Sequence, residues 1–201
     1  MLKVIGIAGS ARREGNSATL LRAVLRGAAS AGAESQYVYL NELSFQGCQG
    51  CTPCTEGATC RIQDELTPVL AAVREADIWV LAAPIYFDGV SGQMKLFFDR
   101  LHHLTSQAGK SAKLLPGTRA AAIIITYEDK PRDDYLDVAR RMVNYFGWMG
   151  DFQPTEILVG AKLGPPEAAR ARPELLAEAE ALGGRLVSEL TRRRAGQTGQ
   201  G

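Results

Sequence analysis

Residues 3–25 read KVIGIAGSARREGNSATLLRAVL, and the change of pattern inside this stretch decides the fold. After Lys3 comes an apolar run without charge, the pattern of a strand buried on both faces of a parallel sheet. Leu20, Leu21, Val24 and Leu25 then recur at i, i+1, i+4 and i+5, one apolar side of a helix. The segment between them is GSARREGNS. A strand that feeds a tight loop and then a helix gathers free backbone N–H groups and the positive end of a helix dipole around one point, which makes an anion site. Gly9 and Gly15 allow close turns, Ser10, Asn16 and Ser17 add neutral donors, and Arg12 or Arg13 adds charge. The dinucleotide fingerprint fails, because Gly6 and Gly9 are three apart and Ala11 follows. The Walker pattern fails as well, since no Lys-Ser or Lys-Thr follows Gly15. What remains is a loop built for one terminal phosphate.

The chain beyond this unit repeats the same alternation. Residues 36–40 are expected as a second strand, with Tyr37, Val38 and Tyr39 supplying β-propensity. A long loop over 41–61 follows, and loops of that length inside compact domains tend to carry function. Asp64 is expected to cap a helix that continues through Leu70, Val73 and Ala76. Residues 77–83 form the third strand, ended by Pro84, and 85–90 a loop. Ser91 should cap a helix with Met94, Phe97, Phe98 and Leu101 along one stripe. Residues 104–116 are polar and predict a flexible connection, and 119–126 form the fourth strand.

Asp133 or Asp134 should cap a helix carrying Leu136, Ala139, Met142, Val143 and Phe146, stopped by Gly147. A fifth strand is expected over 156–159, with a start as early as Phe152. Pro173 opens a last helix with Leu175, Leu176, Ala179, Leu182, Leu186 and Leu190 inward. Five apolar strands alternating with helices specify an α/β, doubly wound parallel sheet. One phosphate loop after the first strand favours the flavodoxin-like order 2-1-3-4-5, with ligands at the carboxyl ends of strands 1, 3 and 4. The expected organisation is a single domain over 1–191 with a Cys-rich insert at 41–61 and a disordered tail at 192–201.

Composition narrows the function classes. At 201 residues and 46% apolar content, the chain can bury one full core. A net charge of +1 offers no electrostatic case for nucleic acid or a membrane surface. No apolar run approaches membrane-spanning length and nothing resembles a signal peptide, so a cytoplasmic protein is expected.

The first loop resembles that of the NADPH-dependent FMN reductase family of the flavodoxin-like superfamily, G-S-x-R-x-x-G-N-S/T, through Gly9, Ser10, Arg12, Gly15, Asn16 and Ser17. A second family motif, P-x-Y with a later Gly and then S-G-x-x-K-x-x-x-D-R, is matched by Pro84, Tyr86, Gly89, Ser91, Gly92, Lys95, Asp99 and Arg100. The resemblance covers roughly residues 3–160. It implies FMN, with its phosphate on Ser10, Arg12, Asn16 and Ser17. The ring would sit against Pro84, Ile85, Tyr86, Phe87, Asp88 and Gly89, and against Thr126 and Tyr127 after the fourth strand.

Where relatives carry glycines, this chain has Thr126-Tyr127-Glu128-Asp129. Tyr127 is expected to cover a ring face or limit the acceptor, and the acidic pair to lower the ring's potential. The resemblance further implies NADPH or NADH as hydride donor, a quinone, an iron–sulfur group or another small acceptor, and a homodimer or homotetramer. No side chain need act as acid or base; Lys95, Asp99 and Arg100 are expected to be structural, and His102 and His103 to lie at an exposed helix end.

Cys48, Cys51, Cys54 and Cys60 fall within thirteen residues, a poor way to staple a domain and a good way to hold a soft metal. Gly47, Gly50, Pro53 and Gly57 supply sharp turns around them. The run is similar to that of the iron–sulfur flavoprotein branch of the family, which implies a [4Fe–4S] cluster. Inert thiols, zinc and redox disulfides remain open for the same residues. For the whole chain, two other readings stand beside the enzyme: a flavodoxin-type carrier, and a tetra-thiolate regulatory module.

Overall fold

The computed structural model describes residues 1–51, 54, 60–105 and 115–198, the side chain of 198 excepted. The connection expected over 104–116 therefore falls mostly outside the described residues, as do 52, 53 and 55–59 of the cysteine loop and 199–201 of the tail.

Five parallel strands form the sheet: β1 (Lys3–Ala8), β2 (Glu34–Tyr39), β3 (Ile78–Tyr86), β5 (Thr118–Thr126) and β6 (Asp151–Gly160), in the order β2-β1-β3-β5-β6. A two-residue strand, β4 (Gly89–Val90), pairs antiparallel with the end of β3. Apart from β4, this is the flavodoxin-like order. Helices α1 (Asn16–Ser30) and α5 (Pro173–Thr198) cover one face; α2 (Thr67–Glu75), α3 (Gly92–Arg100) and α4 (Leu136–Met149) cover the other.

Alternation along each strand sorts the core into two layers. Ile5, Ile7, Trp79, Leu81, Ile123 and Ile125 face α2–α4. Val4, Ala8, Val80, Ala82, Ala120, Ala122 and Ile124 face α1 and α5. The second layer is the smaller in side-chain volume, and α1 lies close upon it: a Cβ on Gly6 would meet Leu25 Cδ1 at 2.8 Å.

Several boundaries differ from expectation, each for a local reason. Pro84 does not end β3, which runs on to Tyr86. β1 has already ended opposite Ala82, so the N–H that proline lacks had no ladder partner to lose. β2 begins two residues earlier than expected and ends at Tyr39, with a short 3-10 turn at Leu40–Glu42. α2 starts at Thr67 with Pro68 in its first turn, because the Asp64 carboxylate is drawn to Arg100 and does not cap the helix.

Neither Asp133 nor Asp134 supplies the cap of α4, whose N-cap is Tyr135; its first turn is held by backbone bonds alone. Gly147 is carried inside α4, because the burial of Met149 offsets the roughly 1 kcal/mol that a helical glycine costs. The chain turns at extended Gly150, where a Cβ would press on Leu115 at 3.1 Å. β6 begins at Asp151 and shifts register between Arg119 and Ala121 of β5, beside a cis Gln153–Pro154 bond. Residues 192–198, expected as tail, are the last turns of α5: Arg194 donates to Thr118 O and pairs with Asp77 at 2.7 Å.

Candidate functional site

The carboxyl ends of β1, β3 and β5 bring three loops to one rim. The first is locked to the sheet by Gly9 N–H donating to Ala82 O at 2.8 Å. Its turn is internal: Arg12 N–H donates to Ser10 Oγ at 3.0 Å and Gly15 N–H to Arg12 O at 3.1 Å. Gly15 is the N-cap of α1 and offers no side chain to its first turn, so the N–H groups of Asn16, Ser17 and Ala18 have no acceptor within the helix. A Cβ on Gly15 would crowd Ser10 Oγ at 3.0 Å and Arg12 Cβ at 3.2 Å. From the β2 side, Tyr39 Oη donates to Ala11 O at 3.0 Å. Arg13 is occupied, pairing with Glu42 and lying over the Tyr39 ring, whereas Arg12 is exposed and its guanidinium has no partner among the described residues.

The second loop is a hairpin. Ile85 pairs with Val90 and Tyr86 with Gly89, leaving Phe87 and Asp88 as a two-residue turn with φ of 47° and 57°. Two left-handed residues in succession are what a tight hairpin of this hand requires. Phe87 holds that conformation while fully exposed, and Tyr86 is 46% exposed, so two aromatic rings stand at the rim open to solvent. Tyr135 Oη donates to Asp88 Oδ1 at 2.9 Å and ties the hairpin tip to the start of α4. That acceptance by Asp88, ahead of burial and nearby carboxylates, raises the Tyr135 pKa.

Ser91 joins the first two loops. It is the N-cap residue of α3, as expected, but its side chain makes no capping bond; fully buried, its Oγ donates to Gly9 O at 2.5 Å, across 82 residues of sequence. A Cβ on Gly9 would sit 2.7 Å from Met94 Cβ, so the β1 loop and α3 approach as closely as glycine allows. Ser91→Ala is expected to cost about 1–3 kcal/mol, since it leaves the buried Gly9 carbonyl unsatisfied. Chemical denaturation should show this; a change under 0.5 kcal/mol would mean that water replaces the hydroxyl.

The cysteine loop leaves β2 toward the same helix. Asn41 accepts from Gln93 Nε2 at 2.9 Å, and a Cβ on Gly47 would strike Leu96 at 2.6 Å. Arg100 anchors the loop at both ends, as does Asp64, which accepts from Gln46 N–H at 3.1 Å and Leu66 N–H at 3.1 Å. All four cysteines are free thiols. Burial first, then the neighbouring Cys51, Cys48 and Cys60, pushes the Cys54 thiol up. Among the described residues no three His, Cys, Asp or Glu side chains stand together at metal-ligand spacing. A cavity of about 770 Å³ lies between the hairpin base at Gly89 and Val90, the cysteine loop at Cys48 and Gly50, and Phe98, Tyr145 and Trp148 of α3 and α4.

The family model of NADPH-dependent FMN reductases matches residues 2–148. The chain belongs to that family. An iron-sulfur flavoprotein of Methanocaldococcus jannaschii is 41% identical over 99 residues, 49% of this chain and 51% of the relative. This FMN reductase family member thus spans about half the length of the first curated relatives it matches. A Bacillus subtilis chain named for NAD(P)H-dependent, FMN-containing oxidoreduction is 26% identical over 150 residues, 74% of this chain and 80% of the other. The crystal structure of an FMN-dependent NADH-azoreductase from Bacillus anthracis, in complex with FMN, superposes with a TM-score of 0.69 at 14% identity. It covers 92% of this family member and 99% of the azoreductase, a likeness of fold.

Within this family member, two residues read from sequence as cofactor contacts turn elsewhere. The Asn16 carboxamide donates to Leu163 O at 3.0 Å and Pro165 O at 2.8 Å and accepts from Ala169 N–H at 2.8 Å, so it clamps α1 to the 161–170 loop. Only its backbone N–H faces the β1 loop's task. Tyr127 is 7% exposed, its hydroxyl is directed at Arg132 O at 2.6 Å and Pro131 O at 3.0 Å, and it stacks edge-on to Tyr135 at 4.9 Å, so its ring is packed into the core. Thr126 is buried, while Glu128 and Asp129 are exposed at the rim.

Lys95 and Asp99 form the plain i,i+4 pair expected of them, at 2.7 Å. His102 is exposed, but His103 is half-buried and engages Arg100 O at 2.8 Å. The Ser91–Gly9 and Tyr135–Asp88 contacts had no signal in the sequence beyond a serine and a tyrosine near a motif.

Proposed function

We propose that this protein is an FMN-dependent NAD(P)H oxidoreductase that passes electrons to a quinone, an iron–sulfur group or another small acceptor. The observation that carries the reading is the convergence of an anion cradle and an aromatic hairpin on one rim of the sheet. The cradle's residues suit a phosphate: Ser10 and Ser17, the N–H groups at the start of α1, and an Arg12 whose guanidinium has no partner among the described residues. Pro84, Ile85, Tyr86, Phe87, Asp88 and Gly89 would wall the ring, with Tyr135 holding the tip in place through Asp88. FMN, when bound, supplies hydride acceptance from nicotinamide and release of electrons to an acceptor. The exposed Glu128 and Asp129 would disfavour further negative charge beside them.

The four free thiols are the donor type that a soft thiophilic metal or a [4Fe–4S] cluster takes. The relatives named as iron-sulfur flavoproteins favour the cluster over zinc. Exposed Trp148, Tyr145, Leu96 and Phe87 give a self-associating surface, consistent with a homodimer or homotetramer. No helix among the described residues is long and apolar enough to cross a membrane.

Mixing anaerobic holoprotein with NADPH or NADH should bleach the flavin absorbance on a catalytic timescale. Bleaching by dithionite alone would replace the enzyme by an electron carrier. The Ser10→Ala, Ser17→Ala double variant should bind FMN more weakly by about 1–3 kcal/mol, roughly 5- to 150-fold in Kd. Unchanged affinity would move the phosphate elsewhere.

A further inference from the structure

The segment between β6 and α5, residues 161–172, touches both the β5 end of the rim and the β1 loop. Leu163 N–H donates to Tyr127 O at 2.9 Å, and a Cβ on Gly164 would lie 3.4 Å from Glu128 Oε1, so the segment is laid along the end of β5. Leu163 itself is buried, close enough to Gly160 that a Cβ there would meet its Cδ1 at 2.8 Å. Further on, a 3-10 turn at Ala168–Ala171 brings Arg170 Nη2 within 2.6 Å of Glu14 in the β1 loop.

Asn16, the first residue of α1, holds the two loops together. Its carboxamide gives one N–H to Leu163 O at 3.0 Å and the other to Pro165 O at 2.8 Å, and its Oδ1 takes the Ala169 N–H at 2.8 Å. This pattern fixes which way the amide points, since a flip would set N–H against N–H and an oxygen against two carbonyls. A carboxamide has only those two N–H groups, so none is left for a phosphate oxygen. Gly15, the N-cap, has no side chain with which to fix the first turn of α1. Asn16 supplies that hold through partners 147 to 153 residues away. The clamp thus sets where the free N–H groups of Asn16, Ser17 and Ala18 stand relative to Ser10.

We propose that Asn16 is a positioning residue for the FMN phosphate. Its side chain stays on the 161–172 segment in the flavin-loaded protein and holds the start of α1 where its N–H groups meet the anion. The segment is then a fourth wall of the site, and closure of the clamp and binding of FMN favour each other. The inference rests on the phosphate-cradle reading of the β1 loop given above.

The test is amide hydrogen exchange at Ala169 in the full chain, with and without saturating FMN. A clamp that stays closed should make this exchange about 5-fold slower or more with FMN, the lower end of ordinary coupling between sites. Exchange that is faster with FMN would mean that the carboxamide leaves the segment for the phosphate. Faster or unchanged exchange overturns the proposal.

The second measurement is Asn16→Ala. Its Kd for FMN should rise about 10-fold, within the same range of coupling, and FMN should no longer slow exchange at Ala169. Riboflavin carries the same ring without the phosphate, so its Kd should change less than about twofold, below that range. An equal loss for both flavins would mark general loosening of the fold and would overturn the proposal. Unaltered FMN affinity would also overturn it, leaving the cradle standing. Equal affinity of wild type for FMN and riboflavin would remove the cradle and the proposal together. Should Asn16→Ala not fold, exchange at Ala169 in wild type decides the question alone.

Discussion

Asp64→Ala is expected to destabilise the protein by about 3–5 kcal/mol, because it strands a buried guanidinium. Arg100 is wholly buried and Asp64 nearly so, and the pair is bidentate, at 2.7 and 3.2 Å. The same carboxylate accepts from the N–H groups of Gln46 and Leu66, so four hydrogen bonds are lost with one side chain. For a chain of this length, that loss should lower Tm by roughly 10 °C. Asp64→Asn, which keeps the shape and loses the charge, should fall between wild type and Asp64→Ala.

The effect carries a pH signature. Burial works against ionisation of Asp64, but the hydrogen bond from Arg100, those from Gln46 and Leu66, and the Arg100 charge hold its carboxyl below the usual range. Stabilisation from a depressed carboxyl is fully present above its unfolded value, about pH 4, and is lost as the pH falls through the folded value. The Tm gap between wild type and Asp64→Ala should therefore be constant near neutrality and close under acid. A gap below about 2 °C at pH 7, less than 1 kcal/mol for a chain of this size, would show that the loop neck relaxes and hydrates Arg100.

Gly27→Ala is the second substitution expected to act strongly, at about 3 kcal/mol, the upper part of the range for overpacking. On most helices this change gains about 1 kcal/mol of propensity. Here the added Cβ would lie 1.9 Å from Glu180 O, and a Cβ on Gly183 would lie 2.0 Å from Val24 O. Both obstacles are backbone, so no rotamer change can admit the methyl group; α1 and α5 must move apart. That separation loosens Leu20, Val24 and Ala28 against Leu182 and Leu186, all buried in the layer beneath α1. Gly32→Ala is a useful contrast, because nothing lies within 4 Å of its Cβ and only its φ of +87° opposes the change. Urea unfolding of the variants would rank them; a stabilised Gly27→Ala would disprove the close crossing of α1 and α5.

The three central strands were legible because strands covered on both faces must be apolar throughout, and Val4 to Ala8, Ile78 to Ala83 and Ala120 to Ile125 leave no other reading. The phosphate loop was legible for a related reason: glycines and small donors between a strand and a helix have one familiar use. Helix ends were read less well. Asp64, Asp133 and Asp134 all look like caps to a local rule, and none caps a helix. Pro84 looks like a strand terminator and is not, since what matters is whether a neighbouring strand still needs its N–H.

By itself, then, the sequence determined the order and covering of the sheet and the rim on which its loops meet, because periodicity and composition act between near neighbours. Only the tertiary structure decided what the polar side chains on that rim are bound to. Asn16 finds its acceptor 147 residues away, Ser91 finds Gly9 82 residues away, and Arg100 reaches Gln46 across 54. A carboxamide, hydroxyl or guanidinium can serve a ligand or a backbone equally well. Which it serves is a competition among partners that come within 3 Å only after the chain has folded.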